Sequence, residues 1–427
     1  MSGKATFFIF LCIISFVLAQ PEGINYDEAK VPVFELPDPL VMLDGPKVQD
    51  SQTWIDKRRP EILSLFEEFV YGKAPEKKIK ITFEIVESDP LTLNGLATRK
   101  QVRVYLIGKK EGPFMDVLIY LPNKVEKPAP LFVGLNFYGN QTVIDDPAVL
   151  ITKSWVRNSD QYGITDHQAT QATRGVSARR WPIKTILESG YGLATIYYGD
   201  IDPDDEGKFD NGIHPYFYQE GQTQPAPDEW GAIAAWAWGL SRAMDYFEKD
   251  EDIAHEQVIV LGHSRLGKTA LWAGAVDERF AIVISNNSGC GGAALSRRAF
   301  GETVKRINTS FPHWFCDNFN QYNDNENACP VDQHMLIALM APRPVYVASA
   351  EEDLWADPRG EFLSTKYASP VYELFGLQGM PAQEMPDVSQ PAFGTIGYHV
   401  RPGKHDVTDY DWDQYIKFAN KHLSHTK

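Results

Sequence analysis

The central part of the chain alternates short apolar runs with segments of helical periodicity, and this order constrains the fold more than any other feature. The strand-like runs are 131–135, 192–197, 258–262, 281–285, 344–348 and 395–400, and helical patterns cover 228–247, 265–276 and 411–422. Parallel strands buried on both faces read as continuous apolar runs joined by helices. The pattern therefore predicts an α/β fold with a mostly parallel central sheet in a three-layer αβα sandwich.

The chain before this region predicts a helix and three further strands. Residues 53–71 have the spacing of an amphipathic helix, and 79–85, 101–107 and 115–121 are strand-like. The stretches 138–180 and 287–333 have no clear periodicity, and long loops in compact domains tend to be functional. They are interpreted as loop insertions.

No internal repeat or linker divides the chain. Residues 20–50 are rich in proline and acidic residues without periodicity, which predicts an extended N-terminal arm. The remainder, 51–427, is expected to form a single catalytic domain.

The first residues have the pattern of a secretory signal peptide. Lys4 is followed by an apolar stretch, 5–18, and then by Ala19, after which we expect cleavage. The stretch is shorter than the roughly 20 residues that span a bilayer, so no membrane anchor is expected. The sequence predicts that the protein is secreted or periplasmic.

Composition narrows the possible partners. The chain has 427 residues, of which 43% are hydrophobic, and its 57 acidic against 41 basic residues give a net charge of -16. Such a charge repels phosphate backbones, so nucleic acid is not an expected partner, and we expect a soluble monomer. The three cysteines after the leader, Cys290, Cys316 and Cys329, allow either one disulfide or three buried thiols.

The segment 258–269 is compatible with two motifs. Gly262, Gly267, Lys268 and Thr269 match the phosphate-binding pattern G-x-x-x-x-G-K-[ST] between a strand and a helix. Export and the bulky residues within the turn argue against nucleotide binding. The alternative is a nucleophile elbow with Ser264 at the strand-to-helix corner, although Leu266 occupies the position of the second glycine in G-x-S-x-G.

A serine nucleophile needs an imidazole base, and His405 is the best candidate. It lies in a loop between the last strand and the last helix, where it can reach the elbow. The other later histidines are His399 within a strand, His334 at a helix start, and His422 and His425 in the tail. We expect these four to be structural or solvated.

The base in turn needs a carboxylate, for which several neighbours compete. Asp353 follows the strand-like run 344–348, at the sheet edge where α/β proteins place their active sites. We prefer Asp353, but spacing does not separate it from Glu351, Glu352 and Asp357.

Three segments together resemble carbohydrate esterase family 15, the glucuronoyl methylesterases. They are Gly262-His-Ser-Arg-Leu-Gly-Lys268, Ser285-Asn-Asn-Ser-Gly-Cys-Gly-Gly292 and Gly403-Lys-His405. The resemblance implies an α/β-hydrolase fold and cleavage of 4-O-methyl-glucuronoyl esters, such as those that join lignin to glucuronoxylan. It implies no metal and no cofactor.

The resemblance also implies roles for individual residues. Ser264 would be the nucleophile, His405 the general base, and Arg265 the group that stabilises the oxyanion. Lys268 and Glu302 would contact the sugar hydroxyls, and Trp355 would form an aromatic wall.

Two positions depart from the fungal pattern. Asn287 stands where many fungal members have the catalytic glutamate, so the acid is expected from the next strand's loop, which favours Asp353. His263 stands where the fungal pattern has a cysteine, which indicates the bacterial branch.

Two other functions remain possible from the sequence. One is another xylan-directed esterase on the same fold, acting on acetyl or feruloyl groups, and the other is a non-catalytic carbohydrate-binding relative. Lys268 and Arg265 favour an acidic sugar over a neutral one.

One acidic run falls outside the motif. Asp200, Asp202 and Asp204 have the spacing of a calcium loop, but Asp205 and Asn211 stand where that loop needs Gly and Glu. The run is therefore predicted to be a solvated turn.

Overall fold

The computed structural model describes residues 23–76 and 79–423 and contains one ten-stranded sheet with the order β1-β2-β3-β5-β4-β6-β7-β8-β10-β9. The strands are β1 (Thr82–Leu91), β2 (Ala97–Tyr105), β3 (Phe114–Pro122), β4 (Ala129–Asn136), β5 (Gly192–Tyr197), β6 (Ile253–His263), β7 (Ile282–Asn286), β8 (Val345–Ala350), β9 (Ala392–Phe393) and β10 (Ile396–Arg401). The predicted signal peptide and His425 lie outside the described residues.

The centre of the sheet is parallel. Strands β5, β4, β6, β7, β8 and β10 pair in parallel, whereas β1, β2 and β3 form an antiparallel extension and β9 pairs antiparallel with β10. The six parallel strands are the six apolar runs predicted from the sequence. The predicted mostly parallel α/β sheet is confirmed.

Helices cover both faces of the sheet. They are α1 (Ser51–Thr53), α2 (Arg59–Phe69), α3 (Thr92–Gly95), α4 (Ile183–Glu188), α5 (Ala232–Phe247), α6 (Arg265–Val276), α7 (Val304–Ser310), α8 (Gln333–Ala338), α9 (Pro358–Glu373) and α10 (Asp409–His422). Alternate residues of β6 enter two separate cores: Val258 and Val260 pack with α5, α6 and α8, and Ile259 and Leu261 pack with α4 and α10. This is the predicted three-layer arrangement.

The boundaries follow the sequence pattern most closely where apolar periodicity is strong. Strand β5 and helix α6 have the predicted limits, whereas β1 begins only at Thr82 and continues to Leu91. Helix α9 was not predicted, because its polar residues and the internal Pro370 weaken the helical signal. The segment 138–180 is irregular apart from short 3₁₀ turns, and 287–333 contains the unpredicted helix α7.

The segment 23–50 runs over the domain with only one short 3₁₀ turn. Its contacts include a hydrogen bond from Gly301 N to Asn25 O and an ion pair between Arg298 and Glu28. Cys290, Cys316 and Cys329 are buried free thiols. Among residues 23–76 and 79–423, no helix combines the length and apolar composition needed to cross a bilayer.

Candidate active site

Ser264 occupies a sharp corner between β6 and α6. Its backbone has φ +59° and ψ -130°, a conformation that only a strongly constrained turn imposes on a non-glycine residue. The corner requires Gly262, since a Cβ there would lie 1.8 Å from the carbonyl oxygen of Leu266. The segment thus forms a nucleophile elbow, and the phosphate-loop alternative is not supported.

On the α6 side of the corner, the position that needs a glycine for close packing is 267 rather than 266. A Cβ at Gly267 would come within 3.0 Å of the Ser288 Cβ, whereas the Leu266 side chain is buried in the core. The shift of the second glycine by one position is therefore compatible with the elbow.

His405 and Asp353 meet at the carboxyl ends of neighbouring parallel strands. His405 follows β10, Asp353 follows β8, and His405 Nδ1 lies 2.6 Å from Asp353 Oδ2. Two backbone hydrogen bonds tie these loops together, from Glu351 N to Arg401 O and from Glu352 N to Gly403 O. With Nδ1 donating to the carboxylate, Nε2 is the ring nitrogen left to accept a proton.

Asn287 joins this arrangement from the other strand that neighbours β8. It follows β7, and its Nδ2 donates to the same Asp353 oxygen at 2.7 Å. Burial alone would raise the pKa of Asp353, but the hydrogen bonds from His405 and Asn287 lower the pKa below its usual value. Asp353 is therefore held as a carboxylate.

The other candidates have different surroundings. Glu351 and Glu352 are exposed, and Asp357 is buried against Arg298 and caps α9. Among the histidines, His399 is buried against Asp411, His334 bonds to Pro37 O, and His422 bonds to Gly394 O.

A cavity of about 310 Å³ opens above the elbow. All seven predicted site residues line it, and the lining set is Ser264, Arg265, Lys268, Asn287, Ser288, Gly289, Glu302, Phe311, Trp314, Asp353, Trp355, Ala356 and His405. Among the described contacts, no hydrogen bond joins Ser264 Oγ to His405, and such bonds often tighten only when substrate binds.

The buried ammonium of Lys268 is largely occupied by the protein itself. Its Nζ donates to Ser288 O at 2.5 Å and to Cys290 O at 2.7 Å, and it lies 3.4 Å from Glu302 Oε2. Lys268 therefore fixes the turn after β7 as well as contributing to the cavity wall.

The prediction that the acidic run 200–204 is a solvated turn is wrong. Asp202 and Asp204 are both fully buried, Asp202 against His214 and Asp204 against Arg265. The side chain of Asp204 also accepts hydrogen bonds from His313 Nε2 and Trp314 Nε1, both at 2.8 Å. His214 lies 12 residues from Asp202 and Arg265 lies 61 residues from Asp204, so the spacing within the acidic run did not reveal these contacts.

Sequence reasoning also missed the aromatic wall formed by Phe311 and Trp314. Their rings stack with centroids 3.8 Å apart, and the Arg265 guanidinium lies 4.7 Å from the Trp314 ring centroid. The aromatic content of 287–333 was the available signal.

The loop that carries His405 is braced from both sides. The Arg401 guanidinium, which is paired with Asp411, donates to Asp406 O at 2.6 Å and Lys404 O at 3.1 Å. The Asp406 carboxylate is paired with Arg179 and Arg180, which end the irregular segment 138–180. That segment thus helps to position the histidine loop.

Within the described residues, no group of three or more His, Cys, Asp or Glu side chains is arranged so that it could hold a metal ion.

A serine at a strand-to-helix elbow of this sheet, together with the histidine loop after β10, defines an α/β hydrolase. The chain is 56% identical over 408 residues to the carbohydrate esterase MZ0003 of an unknown prokaryotic organism, covering 96% of this chain and 94% of that protein. A promiscuous CE15 esterase of known structure, from a marine bacterial metagenome, shares 57% identity with a TM-score of 0.89, covering 94% and 100% of the two chains. The chain belongs to carbohydrate esterase family 15, and it is a carboxylic ester hydrolase.

Two further matches agree with this membership. The glucuronoyl esterase from Solibacter usitatus is 50% identical with a TM-score of 0.88, and the match covers 93% of this chain and 100% of that chain. Residues 186–376 also match the family model for fungal glucuronyl esterases.

Proposed function

We propose that this protein hydrolyses glucuronoyl esters, with Ser264 as nucleophile, His405 as general base and Asp353 as the acid that orients the base. The observation that carries the assignment is the 2.6 Å contact between His405 and Asp353, in the cavity that also contains the elbow serine. The sequence is 50% identical to a glucuronoyl esterase, which supports the choice of substrate.

The first chemical step forms an acyl-enzyme. Ser264 Oγ attacks the ester carbonyl while His405 Nε2 takes the hydroxyl proton, and Asp353 stabilises the imidazolium that results. The proton then passes to the departing alkoxide, which leaves as an alcohol. Water, deprotonated by the same histidine, attacks the acyl-enzyme and releases glucuronic acid and free Ser264.

Arg265 is positioned to stabilise the negative charge on the carbonyl oxygen. Its backbone N–H follows the nucleophile directly, as in other elbows, and its side chain lines the same cavity. Arg265 Nη1 is bonded to Asp204, whereas Arg265 Nη2 has no hydrogen-bond partner among the described residues. An unpaired donor of this kind suits an oxyanion that forms only during the reaction.

The sugar is proposed to bind against Lys268, Glu302 and Trp355. Glu302 provides carboxylate oxygens that accept hydrogen bonds from sugar hydroxyls, and its charge is balanced by the ammonium group of Lys268. Trp355 provides an apolar face for the sugar ring. Arg265 and Lys268 are cationic groups that line this cavity, and they favour the negative charge that develops on the ester carbonyl oxygen during the reaction.

The natural substrate is proposed to be the 4-O-methyl-glucuronoyl ester between glucuronoxylan and lignin alcohols in plant biomass. A relative from Cerrena unicolor, 32% identical over 83% of this chain and 64% of that protein, is a 4-O-methyl-glucuronoyl methylesterase. The apolar leader in 1–19 supports secreted or periplasmic action, as a monomer, after cleavage.

A substrate panel tests this function. The protein without residues 1–19 should release alcohol from methyl and benzyl glucuronate, and Ser264→Ala should abolish the release while leaving the fold intact by circular dichroism. Acetylated xylan and methyl ferulate serve as competing substrates. Turnover of these but not of glucuronate esters would favour the other xylan-directed esterases, and binding to xylan without any turnover would indicate a carbohydrate-binding protein.

A further inference from the structure

Two buried aspartates two residues apart follow β5, and each lies beside a buried histidine. Asp202 and Asp204 are both fully buried, and each is hydrogen bonded to a fully buried histidine. His214 Nδ1 lies 2.9 Å from Asp202 Oδ1, and His313 Nε2 lies 2.8 Å from Asp204 Oδ1. Of the two, Asp204 is the one that also contacts side chains lining the active-site cavity, Arg265 and Trp314.

The Asp204 carboxylate is fixed from several directions. Besides Arg265 Nη1 and His313, it accepts hydrogen bonds from Trp314 Nε1 at 2.8 Å and from Tyr198 OH at 3.2 Å. Burial alone would raise the pKa of Asp204, but the charge of Arg265 and the hydrogen bond from His313 hold the pKa below its usual value. The carboxylate is therefore charged and rigidly placed.

This contact leaves one end of the Arg265 guanidinium available. Nη1 is held by Asp204 and the planar group lies over the Trp314 ring, whereas Arg265 Nη2 has no hydrogen-bond partner among the described residues. An arginine side chain has several rotatable bonds, so without this contact its donors would not be fixed in direction. Oxyanion stabilisation depends on donors that are oriented before the charge develops.

We propose that Asp204 is a positioning residue that orients the Arg265 guanidinium toward the oxyanion. The inference rests on the proposed role of Arg265 in the esterase reaction. Asp204 forms an ion pair with Arg265, and Arg157 Nη2 lies 3.5 Å from the same carboxylate oxygen. Asp204 itself does not touch the reacting atoms.

Asp202, which is equally buried but does not contact Arg265, supplies the control. Asp204→Asn should lower kcat at least about tenfold while KM changes less than about threefold, because the lost interaction operates mainly in the transition state. Asp202→Asn alters an equally buried carboxyl group that does not contact Arg265, and it is expected to lower the melting temperature without changing kcat. Equal kcat values for the two variants would overturn the proposal.

A double variant separates positioning from general destabilisation. If Asp204 acts through Arg265, adding Asp204→Asn to Arg265→Gln should leave kcat within about threefold of Arg265→Gln alone. If the double variant instead loses kcat by the product of the two single-variant factors, Asp204 acts independently of Arg265, and the proposal is contradicted.

Substitutions of His313 and His214 provide a second test if Asp204→Asn does not fold. His313→Phe removes a hydrogen bond to Asp204, and His214→Phe removes the corresponding bond to Asp202 with the same change in ring size. The proposal expects a lower kcat for the first variant and an unchanged kcat for the second. The proposal fails if neither variant lowers kcat.

Kinetics on both benzyl glucuronate and 4-nitrophenyl acetate separate this inference from the proposed function. If the unaltered protein cleaves only the acetate, the substrate assignment fails while the Asp204 comparison is still measured. If it cleaves glucuronate and Asp204→Asn keeps its kcat on both esters, the inference fails and the proposed function stands.

Discussion

Asn287 Nδ2 and Asp353 Oδ2 are 2.7 Å apart, and the same carboxylate oxygen is 2.6 Å from His405 Nδ1. An amide thus occupies the end of the strand next to the one that supplies the acid. The amide contributes a hydrogen bond that favours the charged form of Asp353, whereas a second carboxylate would raise its pKa by repulsion. Asp353 supplies the carboxylate, and Asn287 supports it with a hydrogen bond rather than replacing it as the acid.

The acid can be identified by a pair of substitutions at this contact. Asp353→Asn should lower kcat by about 10³- to 10⁴-fold, because a neutral amide cannot stabilise the imidazolium. Asn287→Ala should lower kcat only about tenfold, the value of one hydrogen bond to a charged group. Glu351→Gln and Glu352→Gln are matched controls that should keep full activity on benzyl glucuronate. A greater loss for Asn287→Ala than for Asp353→Asn would contradict the assignment.

The ion pairs that hold the His405 loop predict that a substitution of Asp406 lowers activity, although Asp406 does not line the cavity. Asp406→Asn breaks the ion pairs to Arg179 and Arg180, so His405 should be less well placed and kcat should fall several-fold. Asp409→Asn, three residues on and exposed at the start of α10, is the control and should leave kcat unchanged. Steady-state kinetics on benzyl glucuronate compare the two variants. Equal kcat values would show that the ion pairs of Asp406 are not needed to position His405.

The environment of Glu361 predicts a pH-dependent stability. Its carboxylate is buried beneath the turn after β7, where it accepts from Ser288 N at 2.7 Å and Gly289 N at 3.0 Å. Burial raises its pKa from 4.5 to about 8. Between these values the folded protein binds a proton that the unfolded chain releases, so the free energy of unfolding should fall as pH rises.

Urea unfolding at about pH 5 and about pH 8 measures this fall. Glu361→Gln mimics the protonated side chain and should make the free energy of unfolding depend less on pH, with a relative gain in stability at the higher pH. Glu373→Gln, an exposed position on the same helix, should leave the pH dependence unchanged. An unchanged dependence in Glu361→Gln would show that Glu361 does not bind the proton.

Lys268 is expected to affect stability as well as substrate binding. Lys268→Met leaves the buried Glu302 charge without its cation and two carbonyls without a donor, which should cost about 3 kcal/mol of unfolding free energy. Adding Glu302→Gln should restore part of that loss. Urea unfolding and KM for methyl glucuronate measure the two effects. A raised KM with unchanged stability would mean that Lys268 serves only the sugar.

Much of this protein was predictable because its signals are local and periodic. The six parallel strands, helix α6 and the Ser264 corner are each encoded by neighbouring residues, since buried parallel strands need continuous apolar runs and the corner needs Gly262. The position of His405 followed from chain order in the same way, because loops after adjacent parallel strands meet at one edge of the sheet.

The tertiary structure alone determined which polar groups are paired. Asp204 looked like a solvated charge in sequence, but it lies buried against Arg265, 61 residues away, and the choice of Asp353 over its neighbours depended on which carboxylate faces His405. Such contacts join loops that follow different strands, and they produce no periodic pattern in the sequence. A charge is stable in the interior only where its partners are assembled, so these pairings exist only in the folded chain.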